Sequence, residues 1–502
     1  MARSFATGGK LPVLAALLFS LMVALCDGLP VTMTLERAFP MSPDVDLSQL
    51  VACDMARHGR RLQSTTAGAV NFPVFGTYNP FIVGLYYTKV QLGNPPKDFY
   101  VQIDSGSDVL WVGCSSCSGC PSESSLKIPL KPFDPKSSSS SSRVPCSDKF
   151  CTDGMRFSEA SCSVQNNLCS YLFQYADGRT TSGYYVSDTL HFDKILGGSA
   201  TTNSSANIVF GCSTAVGGGL NDTDSAVDGI FGFGPQNLSV ISQLASQGLT
   251  PKVFSHCLKG DDAGGGILVL GEIVEPGMVY SPLVPSQTHY NLNLESISVN
   301  GKPLNIDPST FATSNNGGTI IDSGTTIAYL AEKAYQPFIT AIDATATSNS
   351  ALRVPVKDLL CYSVTSSVQN VFPQVTLNFE GNASMDLSPL SYLLKQVSSS
   401  GASIWCVGIM GIQGGLSLIG DIVLKDKIIV YDLDKQRIGW KNYDCSRSVS
   451  VSTLKSGATV TVKAGPSNEV STALRTLPEK WTLWIVLACI ICTSVLSNCK
   501  FI

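Results

Sequence analysis

Histidine is almost absent: His58, His191, His256 and His289 are the only four in 502 residues. There is also no Gly-x-Ser-x-Gly elbow to present a nucleophile, so a Ser–His–acid hydrolase is poorly supported. Charge is scarce too. Asp, Glu, Lys and Arg make up 14% of the chain, the net charge is −4, and no basic stripe is present to attract nucleic acid. Hydrophobic residues still reach 44%, which excludes a disordered chain. The glycine runs Gly217–Gly219 and Gly264–Gly266 lack the lysine of a phosphate loop and read as hairpin loops. The sequence pI near 5.6 suits acidic surroundings.

Long apolar runs are confined to the two ends. Arg3 and Lys10 precede an apolar run from Leu11 to Leu25, and small or turn-forming residues around Cys26, Asp27 and Gly28 offer a cleavage point. Residues 1–28 therefore read as a secretory signal. At the other end Trp481 to Leu496 is apolar, with only Lys500 as a basic residue beyond it. A spanning helix needs about 20 apolar residues and usually has basic residues on its cytoplasmic side. Ser471, Thr472 and Ala473, a spacer from Leu474 to Lys480 and the tail 481–502 instead form the pattern of a glycosylphosphatidylinositol (GPI) anchor signal. Ser471 is the expected attachment residue, with Gly465 in reserve. The expected location is the outer face of the plasma membrane or the cell wall, with the anchor as the contact with membrane.

Of the 17 cysteines, Cys26, Cys53, Cys489, Cys492 and Cys499 fall in the two end segments or the prosegment, and twelve remain between Cys114 and Cys445. An even number in a chain bound for an oxidising compartment implies disulfides, whose connectivity the spacing leaves open. Cys114-x-x-Cys117-x-x-Cys120 has the spacing of a zinc or redox motif, but no partnering histidine lies nearby and the secretory address argues against it. No metal or other cofactor is expected. Sequons at Asn203, Asn221, Asn237 and Asn382 fit the same route.

Residues 29–75 read as a prosegment, in which Arg57-His58-Gly59-Arg60-Arg61 is either a processing site or a solvated charge run. From about residue 82 short apolar or alternating runs are broken by Gly, Pro, Asn and Ser. Tyr86–Leu92, Phe99–Ile103, Val109–Val112 and Ile267–Leu270 read as strands. With 44 glycines, the architecture is mainly β. Residues 446–480, rich in Ser and Thr without an evident core, read as a stalk.

The middle of the chain repeats itself. Tyr100-Val-Gln-Ile-Asp104-Ser-Gly-Ser107 returns as Gly318-Thr-Ile-Ile-Asp322-Ser-Gly-Thr325, 218 residues on. Each copy is followed downstream by an apolar pair ending in glycine, within Asp228–Gly234 and within Ser417–Asp421. Two related lobes, 76–285 and 286–445, each contributing one aspartate, are the simplest reading. Asp-Ser-Gly alone is an ordinary turn; two copies in matching places are far more specific. Glycine after a carboxylate lets an opposing loop approach closely. Facing carboxylates cannot both ionise, so such a pair shares one proton. One carboxylate can then take a proton from a held water while the other donates to a scissile carbonyl.

These residues resemble the pepsin-like aspartic peptidases, and within them the plant nepenthesin-like branch, over roughly residues 82–445. Asp104-Ser-Gly-Ser-Asp-Val-Leu-Trp-Val112 is similar to the first active-site loop and Asp322-Ser-Gly-Thr-Thr326 to the second. Tyr171-Leu-Phe-Gln-Tyr175-Ala-Asp-Gly178 resembles the flap that closes over substrate. The resemblance implies a bilobal β fold with the cleft between lobes, and catalytic Asp104 and Asp322. It further implies loop support from Ser105, Gly106, Ser107, Ser323, Gly324 and Thr325, and a flap Tyr175 whose hydroxyl reaches the indole of Trp111. Ser105, where the family most often has threonine, keeps the supporting hydroxyl; Ala176 replaces a usual glycine. The implied disulfides are Cys114–Cys117, Cys120–Cys212, Cys146–Cys169, Cys151–Cys162, Cys257–Cys445 and Cys361–Cys406.

The expected function is a monomeric, acid-active endopeptidase acting on polypeptide substrates, with a preference for apolar residues flanking the cut. The rival reading is a catalytically silent binding or inhibitor protein on the same fold, since a fold alone never proves activity. A purely structural surface glycoprotein leaves the duplicated loops unexplained.

Overall fold

The computed structural model describes residues 68–465, except 164, 198–199, 225, 315–316, 357–358, 398–402 and 453–458. The signal, Arg57–Arg61, Cys53, Ser471 and the apolar tail lie outside the described residues. Among the described residues no helix is long and apolar enough to cross a membrane.

Runs with alternating burial make some strands, as over Val70–Thr77, and runs buried throughout make others, as over Val253–Leu258. In the first lobe these are β1 (Val70–Thr77), β2 (Leu85–Leu92), β3 (Lys97–Asp104), β4 (Leu110–Ser118), β5 (Leu168–Gln174), β6 (Thr180–Gly197), β7 (Ala200–Gly217), β8 (Gly229–Gly232), β9 (Val253–Leu258) and β10 (Gly266–Leu270). They pair in the order β9-β10-β1-β2-β3-β8-β4-β7-β6-β5. β8 runs parallel to β3 and antiparallel to β4, so it is wedged between them. Gly264 and Gly265 sit in the β9–β10 loop at positive φ, where a side chain would be strained.

The second lobe repeats the device with β11 (Gly317–Ile321), β12 (Ala328–Ala331), β13 (Ile409–Ile412) and β14 (Gly415–Ile419). β14 is parallel to β11 and antiparallel to β12. The helix Glu332–Ser348 buries Ala334, Phe338, Ile342 and Ala346, the four-residue spacing of one helical face. The fold is mainly β and bilobal.

The lobe boundary is not a clean cut at 285/286. β15 (Lys427–Asp432) and β16 (Arg437–Asn442) return to the large sheet, with β15 pairing β9 from Val253↔Asp432 to Cys257↔Ile428. Every residue of β15 is buried, and a strand covered on both faces must lie inside a sheet. The segment expected to be a stalk also departs from expectation over 446–465. β17 (Val449–Ser452) and β18 (Thr459–Val462) form a hairpin. Val449, Val451, Val460 and Val462 pack with Ile267, Val269, Ile428 and Val430. Valines two apart put their side chains on one face of a strand. At the other end β1 starts at Val70 and buries Val70, Phe72 and Val74, so the body begins before residue 76.

The twelve cysteines form six disulfides, four of them with other partners than the resemblance implied. The structure pairs Cys257 with Cys445 and Cys361 with Cys406. Cys114 is bonded to Cys212, not Cys117, and Cys117 to Cys120. β4 and β7 are parallel neighbours with Val112 opposite Cys212, which brings the Cα atoms of Cys114 and Cys212 to 5.3 Å. The register then breaks between Gly113 and Ser118, leaving Cys117 and Cys120 to close a local loop. Cys146 pairs with Cys162 and Cys151 with Cys169, not the reverse. Cys162 and Cys169 are cross-strand neighbours, so burial sorts their partners. Cys151, on the buried face of the short helix Lys149–Arg156, meets the equally buried Cys169, and the more exposed Cys146 takes Cys162.

Candidate active site

β3 ends on Asp104 and β11 ends one residue before Asp322, so each carboxylate sits where an apolar strand turns into a loop. The bonding around them is nearly mirrored. Gly106 N–H donates to Asp104 Oδ1 at 2.8 Å and Ser107 Oγ to Oδ2 at 2.5 Å. Gly324 N–H donates to Asp322 Oδ1 at 2.7 Å and Thr325 Oγ1 to Oδ2 at 2.6 Å. The loops also hold each other. Ser323 N–H donates to Ser105 Oγ at 2.9 Å, and Ser105 N–H to Ser323 Oγ at 3.2 Å.

The glycines set the separation. A Cβ on Gly106 would lie 2.7 Å from Asp322 Oδ1, and one on Gly324 would collide with the Asp104 carboxyl. Each glycine therefore makes room for the opposite acid, and the two carboxyls face each other across the lobes. Burial, and next to it the Asp322 charge, push Asp104 up to about 7 against the opposing hydrogen bonds from Ser107 and Gly106. Beneath the loops run the repeated apolar-apolar-glycine segments: Gly232 of β8 pairs with Asp104, and Asp322 N–H donates to Ile419 O of β14 at 3.0 Å.

Over Asp104 the β5–β6 hairpin turns at residues 175–179, with Tyr175 N–H donating to Arg179 O at 2.8 Å. Trp111 Nε1–H donates to Tyr175 Oη at 2.8 Å, and the Arg179 guanidinium lies 5.8 Å from the centre of the tyrosine ring. Gly217–Gly219, expected in a hairpin loop, instead leave the end of β7 and pass against this turn: a Cβ on Gly218 would strike Gly178 O. Under the hairpin opens a cavity of about 230 Å³ whose lining includes Gln102, Trp111, Ile230, Leu220 and the Cys117–Cys120 disulfide.

Three residues near the dyad carried no assigned role in the sequence reading. Asp421 is buried, its Oδ1 has no partner, and burial first, then Asp322 and Asp104, raises its carboxyl well above the usual range. Tyr431 Oη lies 3.4 Å from Ser105 Oγ and stacks on Phe254. Gln102 belongs to the cavity wall. Asp421 and Gln102 stand inside the repeated motifs, and polarity at otherwise apolar positions was the available signal. Among the described residues no three His, Cys, Asp or Glu side chains converge as a metal site. Asn203, Asn221, Asn237 and Asn382 are all exposed. Gly465, the reserve attachment residue, donates its N–H to Gly266 O at 3.2 Å.

Two family models match: xylanase inhibitor N-terminal over residues 86–272 and xylanase inhibitor C-terminal over 289–442. Aspartic proteinase 36 of Arabidopsis thaliana is 40% identical over 429 residues, 85% of this chain and 86% of its own. Aspartic proteinase nepenthesin-1 of Nepenthes gracilis is 30% identical over 380 residues, covering 73% and 79%. Among solved structures, that of edgp superposes with a TM-score of 0.62 at 19% identity, covering 75% of this chain and 95% of that one, a likeness of fold. With facing carboxyls on duplicated Asp-Ser-Gly loops and relatives of this identity and coverage, the chain belongs to the plant aspartic proteinases, in the pepsin-like family whose models carry the xylanase-inhibitor names.

Proposed function

We propose that this protein is an active aspartic endopeptidase that cleaves polypeptides at acidic pH. The observation that carries the reading is the mirrored bonding of Asp104 and Asp322, each held by a glycine N–H and a hydroxyl, with a glycine opposite to admit its partner. Asp104, pushed up to about 7, keeps the shared proton through the acid range. The partner carboxylate takes a proton from a water held between them as that water adds to the scissile carbonyl carbon, and the proton on Asp104 passes to the carbonyl oxygen. Collapse of the adduct breaks the C–N bond, with a proton going to the leaving amine. The flap, pinned by Trp111 to Tyr175, closes the site from water above. Both acids come from one chain, which supports action as a monomer.

The test is cleavage of an unstructured protein between about pH 3 and 7 by wild type, Asp104→Asn and Asp322→Asn, with and without pepstatin. Acid cleavage by wild type, lost in both variants, is expected. A folded, processed wild type that cleaves nothing would sink the reading. It would then favour a binding or inhibitor protein on this scaffold, a second reading that draws support from the names of the two family models.

The apolar tail and the small residues before it support a cell-surface location through a glycosylphosphatidylinositol anchor at Ser471. Phosphatidylinositol-specific phospholipase C is expected to release the protein from membranes; protein that stays behind contradicts the anchor.

A further inference from the structure

Gln102 stands two residues before Asp104 on β3, so both side chains point to the same face of the sheet. It is 5% exposed. Opposite it in the ladder is Ile230 of β8, and opposite Ile230 is Trp111 of β4. This row lines the cavity that also takes in Arg179 of the flap hairpin, and it reaches the dyad through Gln102, two residues from Asp104 and bonded to Gly324 O. Ile230, Leu220 and Trp111 make that wall apolar, and the Gln102 amide interrupts it.

Several polar groups on the cavity wall are already committed, while Lys131, Ser115 and Ser122 line its exposed side. Asp228 accepts Tyr100 N–H at 2.8 Å and Lys131 N–H at 2.9 Å, one on each oxygen. Arg179 is bonded to Asp177 and rests over the Tyr175 ring. Gln102 spends Nε2–H on a long bond to Gly324 O at 3.4 Å. Its Oε1 accepts no hydrogen bond among the described residues. An apolar stretch of wall interrupted by an open acceptor fits an aromatic ring that carries a donor.

We propose that Gln102 is a specificity-determining residue of the cleft. Its Oε1 accepts a hydrogen bond from the phenol of a substrate tyrosine seated in this cavity beside the scissile bond, and so selects tyrosine over phenylalanine. The inference rests on the peptidase reading for its substrate class. It goes beyond a general apolar preference, because phenylalanine would bury the acceptor without a donor. Sites built to bond a hydroxyl reject the analogue lacking it more strongly than apolar pockets reject an added hydroxyl.

The experiment is calorimetric binding at acidic pH of two reduced-amide peptides, which cannot be cleaved and differ only in tyrosine or phenylalanine beside the isostere. Wild type is expected to bind the tyrosine peptide about tenfold more tightly. Gln102→Met, similar in volume but without the amide, is expected to bring the two Kd values together by weakening the tyrosine peptide alone. Equal Kd values in wild type, no binding of either peptide, or a variant that weakens both equally would overturn the proposal. The last result would mark Gln102 as a mere prop for Gly324. The wild-type comparison stands even if the variant does not fold. Because binding needs no turnover, a tyrosine preference without cleavage of the parent amide peptides would overturn the peptidase reading alone.

Discussion

The two active-site loops are alike in how they hold the carboxylates and differ in the burial of the acids and in how their serines are bound. Each acid has one glycine N–H and one hydroxyl. Yet Asp104 is buried, whereas Asp322 is half-buried. Even the serine exchange is uneven. Ser105 Oγ receives Ser323 N–H at 2.9 Å and also lies 3.4 Å from Ile321 O and from Tyr431 Oη. Ser323 Oγ receives only the longer bond from Ser105. Duplication therefore supplies the matched geometry that two acids sharing a proton require. Divergence around it gives the acids different surroundings, which lets one hold the proton while the other accepts.

The largest effects test the symmetry itself. Asp104→Asn and Asp322→Asn are each expected to lower kcat/KM by about 10³-fold or more with the near-ultraviolet circular dichroism unchanged; activity surviving in either would show that the loops are not equivalent partners. The serines then measure the asymmetry. Ser105→Ala is expected to cost about 2 kcal/mol in urea unfolding, because Ser323 N–H is left buried without an acceptor, and Ser323→Ala about 1 kcal/mol. Equal losses would erase the distinction. Tyr175→Phe touches the flap side alone. Losing the Trp111 bond is expected to lower kcat/KM about tenfold with little change in stability.

The smallest effects come from pH. Burial, aided by Asp108, raises Glu159 to about 9; burial also raises Asp228 to about 6, and Asp104 stands at about 7. All three lie in the first lobe. Carboxyls raised in the fold hold protons that the unfolded chain gives up, so their contribution is full below about pH 4 and is lost as pH climbs through 6 to 9. The melting temperature is expected to fall by several degrees from pH 5 to pH 8. His256 opposes this weakly. Burial holds it neutral, down at about 3, with Nδ1 unpartnered, so its contribution is present above about pH 6.5 and is lost as pH falls towards 3. His256→Phe is expected to improve the melting temperature more at pH 4 than at pH 7.

The repeated Asp-Ser-Gly loops were legible because local residues carry their own chemistry: the acid, the glycine that admits its partner, and the hydroxyl three residues on. Strands were legible from alternation, as over Tyr86–Leu92. The hairpin of β17 and β18 was missed because four valines among serines and threonines show no core until β10 and β15 are placed against them. The placement of β15 in the first lobe's sheet was hidden for the same reason.

The sequence by itself determined the two acids on repeated Asp-Ser-Gly loops and the even set of twelve cysteines, matters of residue type and short spacing. The flap tyrosine with its tryptophan and the supporting hydroxyls entered through the resemblance to pepsin-like peptidases. Only the tertiary structure decided which cysteines meet, where one lobe gives way to the other, and that Gln102 faces a cavity with a free acceptor. Each of these depends on strands far apart in the chain lying side by side, and the pairing of distant strands is set by which faces can be buried together, not by any one segment's own pattern.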